Sequence, residues 1–385
     1  MAESTIEPQL VEGAADLDEV VGALSGQEKY AVDTEFHRER TYFAQLALVQ
    51  IGWPGRIALI DPTAVDISPL AEVFDGDGLA IMHAARQDLE ILERATDTIP
   101  SALVDTQLAA GFLGYTSPSL ASLVDKELGV KLPKADRLTD WLKRPLTNKQ
   151  IRYAASDVEF LVETYDLLAA RIDETGRGGW LDEAMNEMLA EPRGPRDPSD
   201  VWRRIKELRH LRGTDLAIAR AVAGWREERA VVLDITPRFV LSDLGVVGVA
   251  VSRPKTIEDL RAIRGVDGRS LKSDAAQDLL DELRRAIDDP PRVPSQRNHR
   301  ELPADLRPAL PLISAWVSQQ ARDLEIELAL LATRADLEAF LRGDEDARLA
   351  HGWRGDLAGE PIRRLLGGAA SLAFDGGRLV LEDRP

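Results

Sequence analysis

Short apolar runs alternate with amphipathic stretches along the first 190 residues. Tyr30-Ala31-Val32-Asp33 starts a strand. Residues 45–51 and 56–60 are apolar and rich in β-branched side chains, and Gly52-Trp53-Pro54-Gly55 separates them. That pattern predicts a hairpin. Residues 67–74 read as a helix, and 79–83 as a short buried strand. A helix over 86–94 buries Leu89, Ile91 and Leu92, a strand covers 103–105, and helices follow at 106–113 and 120–128. Hairpin strands followed by strands alternating with helices predict an α/β layered domain around a mixed five-stranded sheet.

Thr147-Asn148-Lys149-Gln150 fits a capping box, in which two side chains satisfy orphan backbone donors at a helix start. The helix it opens is predicted to run to about residue 172. Ile151, Ala155, Val158, Val162 and Tyr165 recur at helical spacing as its apolar stripe. Residues 190–198 and 288–308 have the Pro/Gly-rich composition of linkers. They divide the chain into an α/β domain at 1–190, a helical unit at 200–289 and a second helical unit at 305–385. Helix signals in the middle unit lie at 201–211, 216–230 and behind Thr256. In the last unit they lie at 313–331 and 334–341, and a terminal hairpin turns at Gly376-Gly377.

Composition narrows the chemistry. The chain has 385 residues and no cysteine, which removes disulfides, thiolate catalysis and cysteine-based metal centres. Its five histidines form no HxH or HxxxH pair. A metal site must therefore be built mainly from carboxylates, which favours hard ions such as Mg²⁺ or Mn²⁺. No run of 18 apolar residues marks a membrane span. The first 25 residues hold six acids and no Lys or Arg, unlike a secretion signal, so a cytoplasmic location is expected. The net charge of −18 opposes nucleic-acid binding by bulk charge. Two segments run against it. Residues 126–152 carry eight basic groups and three acids, and residues 202–212 carry five basic groups and one acid. Such runs are usually solvated helix faces, and phosphate contact is the alternative.

Three acidic words carry the candidate chemistry. Asp33 and Glu35 end a strand, and side-chain alternation puts both on one face. Paired carboxylates raise each other's pKa unless a cation lies between them. Asp88 falls in the first turn of a helix, where an acid also simply complements the helix dipole. Tyr153 and Asp157 are neighbours four apart on the capped helix. At 100° per residue they lie far from its apolar stripe, where a core tyrosine would not. Asp105, at a strand-to-helix junction, reads as a helix cap.

The residues in order resemble the ribonuclease D family. The resemblance rests on Asp33-Thr34-Glu35-Phe36, Arg40-Thr41-Tyr42 with Gln45-Leu46, His83-Ala84 with Asp88-Leu89-Glu90, and Asp105-Thr106-Gln107. It continues through Arg137-Leu138-Thr139-Asp140-Trp141, Arg144-Pro145-Leu146-Thr147 and Tyr153-Ala154-Ala155-Ser156-Asp157-Val158. By order and length, the two helical units resemble the HRDC modules of that family. The resemblance implies an RNase H-like fold and 3′→5′ exonuclease activity releasing nucleoside 5′-monophosphates. It makes Asp33, Glu35, Asp88 and Asp157 the ligands of two divalent ions, with Glu35 and Tyr153 catalytic and Tyr153 orienting the attacking water. Precursor transfer RNA is the substrate it implies, handled by a monomer. Thr34, Phe36, His83, Lys143, Arg144, Arg203 and Arg204 complete the expected site as substrate contacts. Core packing for Phe36 and a hydrogen-bonded core role for His83 stay open, and His37 matches no position of the pattern.

Two rival readings remain at this level. One is a DNA 3′→5′ exonuclease of the same fold, since contacts to the 2′-OH decide between the two and the sequence does not expose them. The other is a non-catalytic nucleic-acid-binding scaffold, against which the four intact acids count.

Overall fold

The computed structural model describes residues 6–133, 139–266, 271, 273–291 and 302–384. They fall into two compact units. One holds the described residues of 1–35, 46–192 and 300–385, and the other those of 36–45 and 193–299.

The first unit is built on a mixed sheet. Its strands are β1 (Gln9–Val11), β2 (Lys29–His37), β3 (Gln45–Trp53), β4 (Arg56–Ile60), β5 (Leu79–Met82) and β6 (Leu103–Asp105), in the order β1-β4-β3-β2-β5-β6. β3 and β4 form the predicted antiparallel hairpin, with Trp53 opposite Arg56, while β5 runs parallel to both β2 and β6. The sheet has six strands, not five. The unpredicted strand, β1, is three residues long and pairs in parallel with β4. Its helices are α1 (Ala14–Leu24), α2 (Ala71–Phe74), α3 (Arg86–Thr96), α4 (Thr106–Gly111), α5 (Leu120–Leu128), α6 (Asn148–Glu159), α7 (Leu161–Glu174) and α8 (Gly178–Ala190).

Alternation along the strands sends side chains into two separate cores. Tyr30, Val32, Val49, Ile60, Ala80 and Met82 pack on one face with α1 and α3. Ala31, Ile57, Leu59, Ile81 and Val104 pack on the other, under α6 and α7. The capping box at Thr147 is present. The long helix it opens does not reach residue 172 unbroken. It stops at Phe160 (φ −106°, ψ 3°) and restarts as α7. The single-stripe reading fails with it, because Ala154, Ala155, Ser156, Asp157 and Val158 are all buried. One contact seats α6. A Cβ added to Gly52 on β3 would lie 2.9 Å from the Val158 carbonyl oxygen and 3.2 Å from its Cβ. Gly52→Ala should therefore destabilise the fold by about 1–3 kcal/mol through overpacking, read from urea unfolding, and should disturb α6 and the residues it carries.

The segment expected as a second helical domain, 305–385, shares the second core. Leu310, Ile313, Trp316, Leu331 and Trp353 belong to the same buried cluster as Phe112 and Leu181. Trp353 stacks on Trp180 with 4.8 Å between ring centroids. The buried Arg354 donates to Glu187 and to the Leu330 carbonyl, each at 2.8 Å. The predicted helix over 313–331 is interrupted. Ala309–Asp323 ends before Glu325, which has φ +49°, and Leu328–Leu331 follows. Ala370–Asp375 and Arg378–Asp383 form the predicted terminal hairpin.

The second unit is helical: α9 (Gly213–Leu233), α10 (Pro237–Val240), α11 (Asp243–Ser252), α12 (Ile257–Arg261) and α13 (Ser273–Asp288). Val222, Leu241, Val249 and Leu279 lie in its core. The helix expected over 201–211 is instead two 3₁₀ turns, Val201–Arg204 and Lys206–His210. Residues 36–45 belong to this unit. The Tyr42 hydroxyl donates to the buried Glu227 at 2.7 Å, and the Tyr42 and Phe43 amides donate to Asp234 at 3.1 and 3.0 Å.

Candidate active site

Asp33 and Glu35 alternate with Val32 and Thr34 on β2, so they share the side of Ala31 that faces α6. α6 brings Tyr153 and Asp157 to that side. Asp88 comes from the first turn of α3, directly after β5, the neighbour of β2. Asp88 is 7 % exposed and Asp157 is 9 % exposed, which is rare for acids without a cationic partner. The buried Thr34 hydroxyl donates to Asp88 Oδ1. Thr34 thus holds one of the acids and is not presented to a substrate.

The acids are linked electrostatically. Burial, then Asp157 and Asp88, push the Glu35 carboxyl up to about 8. Burial raises Asp157 to about 7 against a hydrogen bond from Tyr153, and raises Asp88 to about 6 against the bond from Thr34. Asp33 is held well above the usual carboxylate range by burial, then by Asp88, Asp157 and Glu35. The Tyr153 phenol is also pushed up, by burial and then by Asp157, Glu35 and Asp33. It stays protonated at any working pH, so it acts as a hydrogen-bonding group and not as a base.

Among the described residues, no three Asp, Glu or His side chains are already drawn together as a metal cage. The fit to a cation rests on donor chemistry. All four acids offer hard oxygen ligands. Asp157 Oδ2 is buried and has no hydrogen-bond partner. A buried carboxylate oxygen left unpaired is costly unless a cation meets it.

The expected substrate contacts fare differently. His83 is half-buried, with both ring nitrogens within hydrogen-bond distance of protein atoms. Its Nδ1 lies 2.9 Å from Thr106 Oγ1 and its Nε2 lies 3.1 Å from the Pro118 carbonyl, and burial lowers its pKa. Arg144 is also committed inward. It pairs through Nε and Nη2 with Asp61, which is 1 % exposed, and donates to the Ala47 and Trp141 carbonyls at 2.7 Å. Burial pushes the Asp61 carboxyl up, but the bonds from Arg144 and Thr63 outweigh it and hold the group below the usual range. Arg144→Ala should therefore destabilise the protein by about 3 kcal/mol in urea unfolding, because it strands a buried charge. Adding Asp61→Asn should recover part of that loss. Lys143 is exposed and Phe36 half-buried. In the second unit Arg203 bonds Asp200 at 2.9 Å and lies over the Trp202 ring, while Arg204 is exposed. Lys134 and Arg137, counted in the first basic segment, lie outside the described residues.

Known proteins match both parts of the chain. A 3′-5′ exonuclease family model matches residues 8–173, and an HRDC domain model matches residues 215–283. The chain is 35 % identical to a ribonuclease D of Jannaschia sp. over 370 residues, which is 93 % of this chain and 95 % of the relative. It is 33 % identical to a ribonuclease D of Zymomonas mobilis over 97 % of each. The crystal structure of Escherichia coli RNase D, an exoribonuclease involved in structured RNA processing, superposes with a TM-score of 0.82. The two are 29 % identical, over 94 % of this chain and 99 % of that one. No described helix is long and apolar enough to cross a membrane. With full-length relatives matched and both family models in order, the chain belongs to the ribonuclease D family of divalent-metal-dependent 3′→5′ exoribonucleases.

Proposed function

We propose that Asp33, Glu35, Asp88 and Asp157 together hold two divalent ions, Mg²⁺ or Mn²⁺, and that Tyr153 aims the water attacking the 3′-terminal phosphodiester of RNA. The observation that carries this reading is the convergence of four acids from β2, α3 and α6, each held above the usual carboxylate range chiefly by burial, with a buried Asp157 oxygen left unpaired. Divalent ions in such a site supply Lewis-acid stabilisation of the charge that develops on the phosphoryl oxygens. The protein does the rest. Thr34 fixes the Asp88 carboxylate. The Tyr153 phenol, always protonated, orients the incoming water and leaves proton removal to the acids. Of the expected substrate contacts, Lys143 and Arg204 are exposed and basic and offer cations to the RNA backbone, each from its own unit, and Phe36, next after Glu35 on β2, offers a ring to the terminal base. Precursor transfer RNA, trimmed at its 3′ end by a cytoplasmic monomer, is the substrate this reading favours. The part that the Escherichia coli relative takes in structured RNA processing supports it.

The acids make cation binding pH-dependent. Ligands must shed protons before they bind, so affinity follows their deprotonation. Mg²⁺ affinity measured by calorimetry should rise from pH 6 to pH 8, across the values of Asp88, Asp157 and Glu35. Stability of the metal-free chain should move the other way. The raised folded-state values mean that the stability from protonated acids is full below about pH 4 and is lost as pH rises through 6 to 8. An affinity flat over this range would count against the four acids as ligands. Hydrolysis of matched RNA and DNA oligonucleotides tests the substrate half of the proposal. Equal rates on the two would remove the assignment to RNA.

A further inference from the structure

Asp105 does more than the helix cap read from the sequence. It is the last residue of β6, 2 % exposed and opposite Met82 on β5. Its Oδ1 accepts the Gln107 and Leu108 amides at 2.8 and 3.3 Å and so caps α4. The same carboxylate reaches across to the turn between β5 and α3. There Oδ1 accepts the Ala84 amide at 3.1 Å and Oδ2 accepts the Ala85 amide at 2.9 Å. One buried group thus serves the starts of two helices.

The second pair of bonds meets a specific need. α3 opens with Ala85 at its N-cap and has no side-chain cap of its own. The residue before it, Ala84, sits at φ +57°, a left-handed conformation that a Cβ disfavours. Nothing in His83-Ala84-Ala85-Arg86 supplies a local reason for the chain to turn this way, whereas Asp105 holds both amides of the turn. Asp88 lies three residues beyond Ala85, in the helical turn whose direction this sets.

We propose that Asp105 is a positioning residue for the cation site. By clamping the left-handed turn at Ala84 it fixes the start of α3 and so the placement of the Asp88 carboxylate. The proposal rests on the reading of Asp88 as a ligand. Asp105→Asn keeps the shape but puts an amide NH₂ where one of the backbone N–H groups needs an acceptor, so one arm of the clamp fails. Ala84→Gly has the opposite effect, because glycine adopts positive φ without support.

The test is calorimetric titration of Mg²⁺ into the full chain without RNA, together with the KM for a short RNA. Asp105→Asn should weaken Mg²⁺ binding about 10- to 100-fold, the usual cost of losing a group that orients a metal ligand, and leave KM unchanged. Ala84→Gly added to Asp105→Asn should restore most of the affinity. If Asp105→Asn does not fold, Asp105→Ser provides the same readout, since serine caps α4 but is too short to hold both helix starts. Loss of melting temperature with unchanged Mg²⁺ affinity would reduce Asp105 to a cap and overturn the proposal. A weakened affinity that Ala84→Gly does not restore would trace the effect to the charge of Asp105 and overturn it as well. Asp88→Asn runs alongside. Wild-type Mg²⁺ affinity in that variant would remove the underlying reading of Asp88, an outcome distinct from failure of the clamp alone.

Discussion

Asp33→Asn should cut RNA hydrolysis by roughly 10³-fold while making the metal-free protein more stable. The activity loss follows from removing one hard ligand. A bound divalent ion supplies several kcal/mol of transition-state charge stabilisation, at about 1.4 kcal/mol per decade of rate. The stability gain follows from the same geometry. Desolvation in the site, then Asp88, Asp157 and Glu35, hold the half-buried Asp33 carboxyl well above the usual range. At neutral pH each ionised acid in this cluster repels the others, so a neutral amide relieves the fold. Each kcal/mol relieved should raise the melting temperature by about 2–4 °C in a domain of this size. The two effects have to appear together. A variant that loses activity and stability alike is only misfolded, whereas one that gains stability and keeps full activity shows that Asp33 is not needed for the chemistry. Paired scanning calorimetry and RNA hydrolysis on the same preparation decide between these outcomes.

Tyr153→Phe should lower kcat by about 10²-fold and leave RNA affinity nearly unchanged. The ring survives the substitution, so its packing at 6.0 Å from the Trp141 ring is kept and only the hydroxyl is lost. Burial and three neighbouring carboxylates hold the phenol in its protonated form. The pH–rate profile of the wild type should therefore show no limb from tyrosine, and the variant should keep the shape of that profile at a lower level, with its acid limb moved to higher pH. Asp157 also loses its hydrogen bond from Tyr153, which was lowering its pKa. Cation binding in the variant should shift toward higher pH. A defect confined to KM would contradict the water-orienting role.

The elements that carry the acids were legible because their signals are local. The apolar run ending at Asp33, the capping box at Thr147 and the Gly-Trp-Pro-Gly turn each lie within a few residues. The misreadings have non-local causes. β1 is three residues long and exists because its register against β4 pairs Gln9 with Ala58 and Val11 with Ile60. The break at Phe160 involves no Pro or Gly, and the Thr164 hydroxyl bonds the Phe160 carbonyl at 2.7 Å. A stripe drawn at 100° per residue assumed one buried face, yet the second half of α6 is buried all round between the sheet and its neighbours. Arg144 sits in a basic segment that looked available to phosphate, and its partner Asp61 lies 83 residues away. The packing of 305–385 on the nuclease core depends on contacts such as Trp180 with Trp353, which no local pattern announces. Asp105 was visible as a cap because Asp followed by a helix is a local sign. Its hold on Ala84 and Ala85 crosses between strands and gives no such sign.

The measurement closest to the central claim follows a 5′-labelled RNA with time in Mg²⁺, using the wild type and the four variants Asp33→Asn, Glu35→Gln, Asp88→Asn and Asp157→Asn. The account predicts a ladder shortened one nucleotide at a time from the 3′ end by the wild type, with nucleoside 5′-monophosphate released, and no ladder from any of the four variants. A full wild-type ladder from the folded Asp157→Asn protein would contradict it and would place the hydrolytic centre elsewhere.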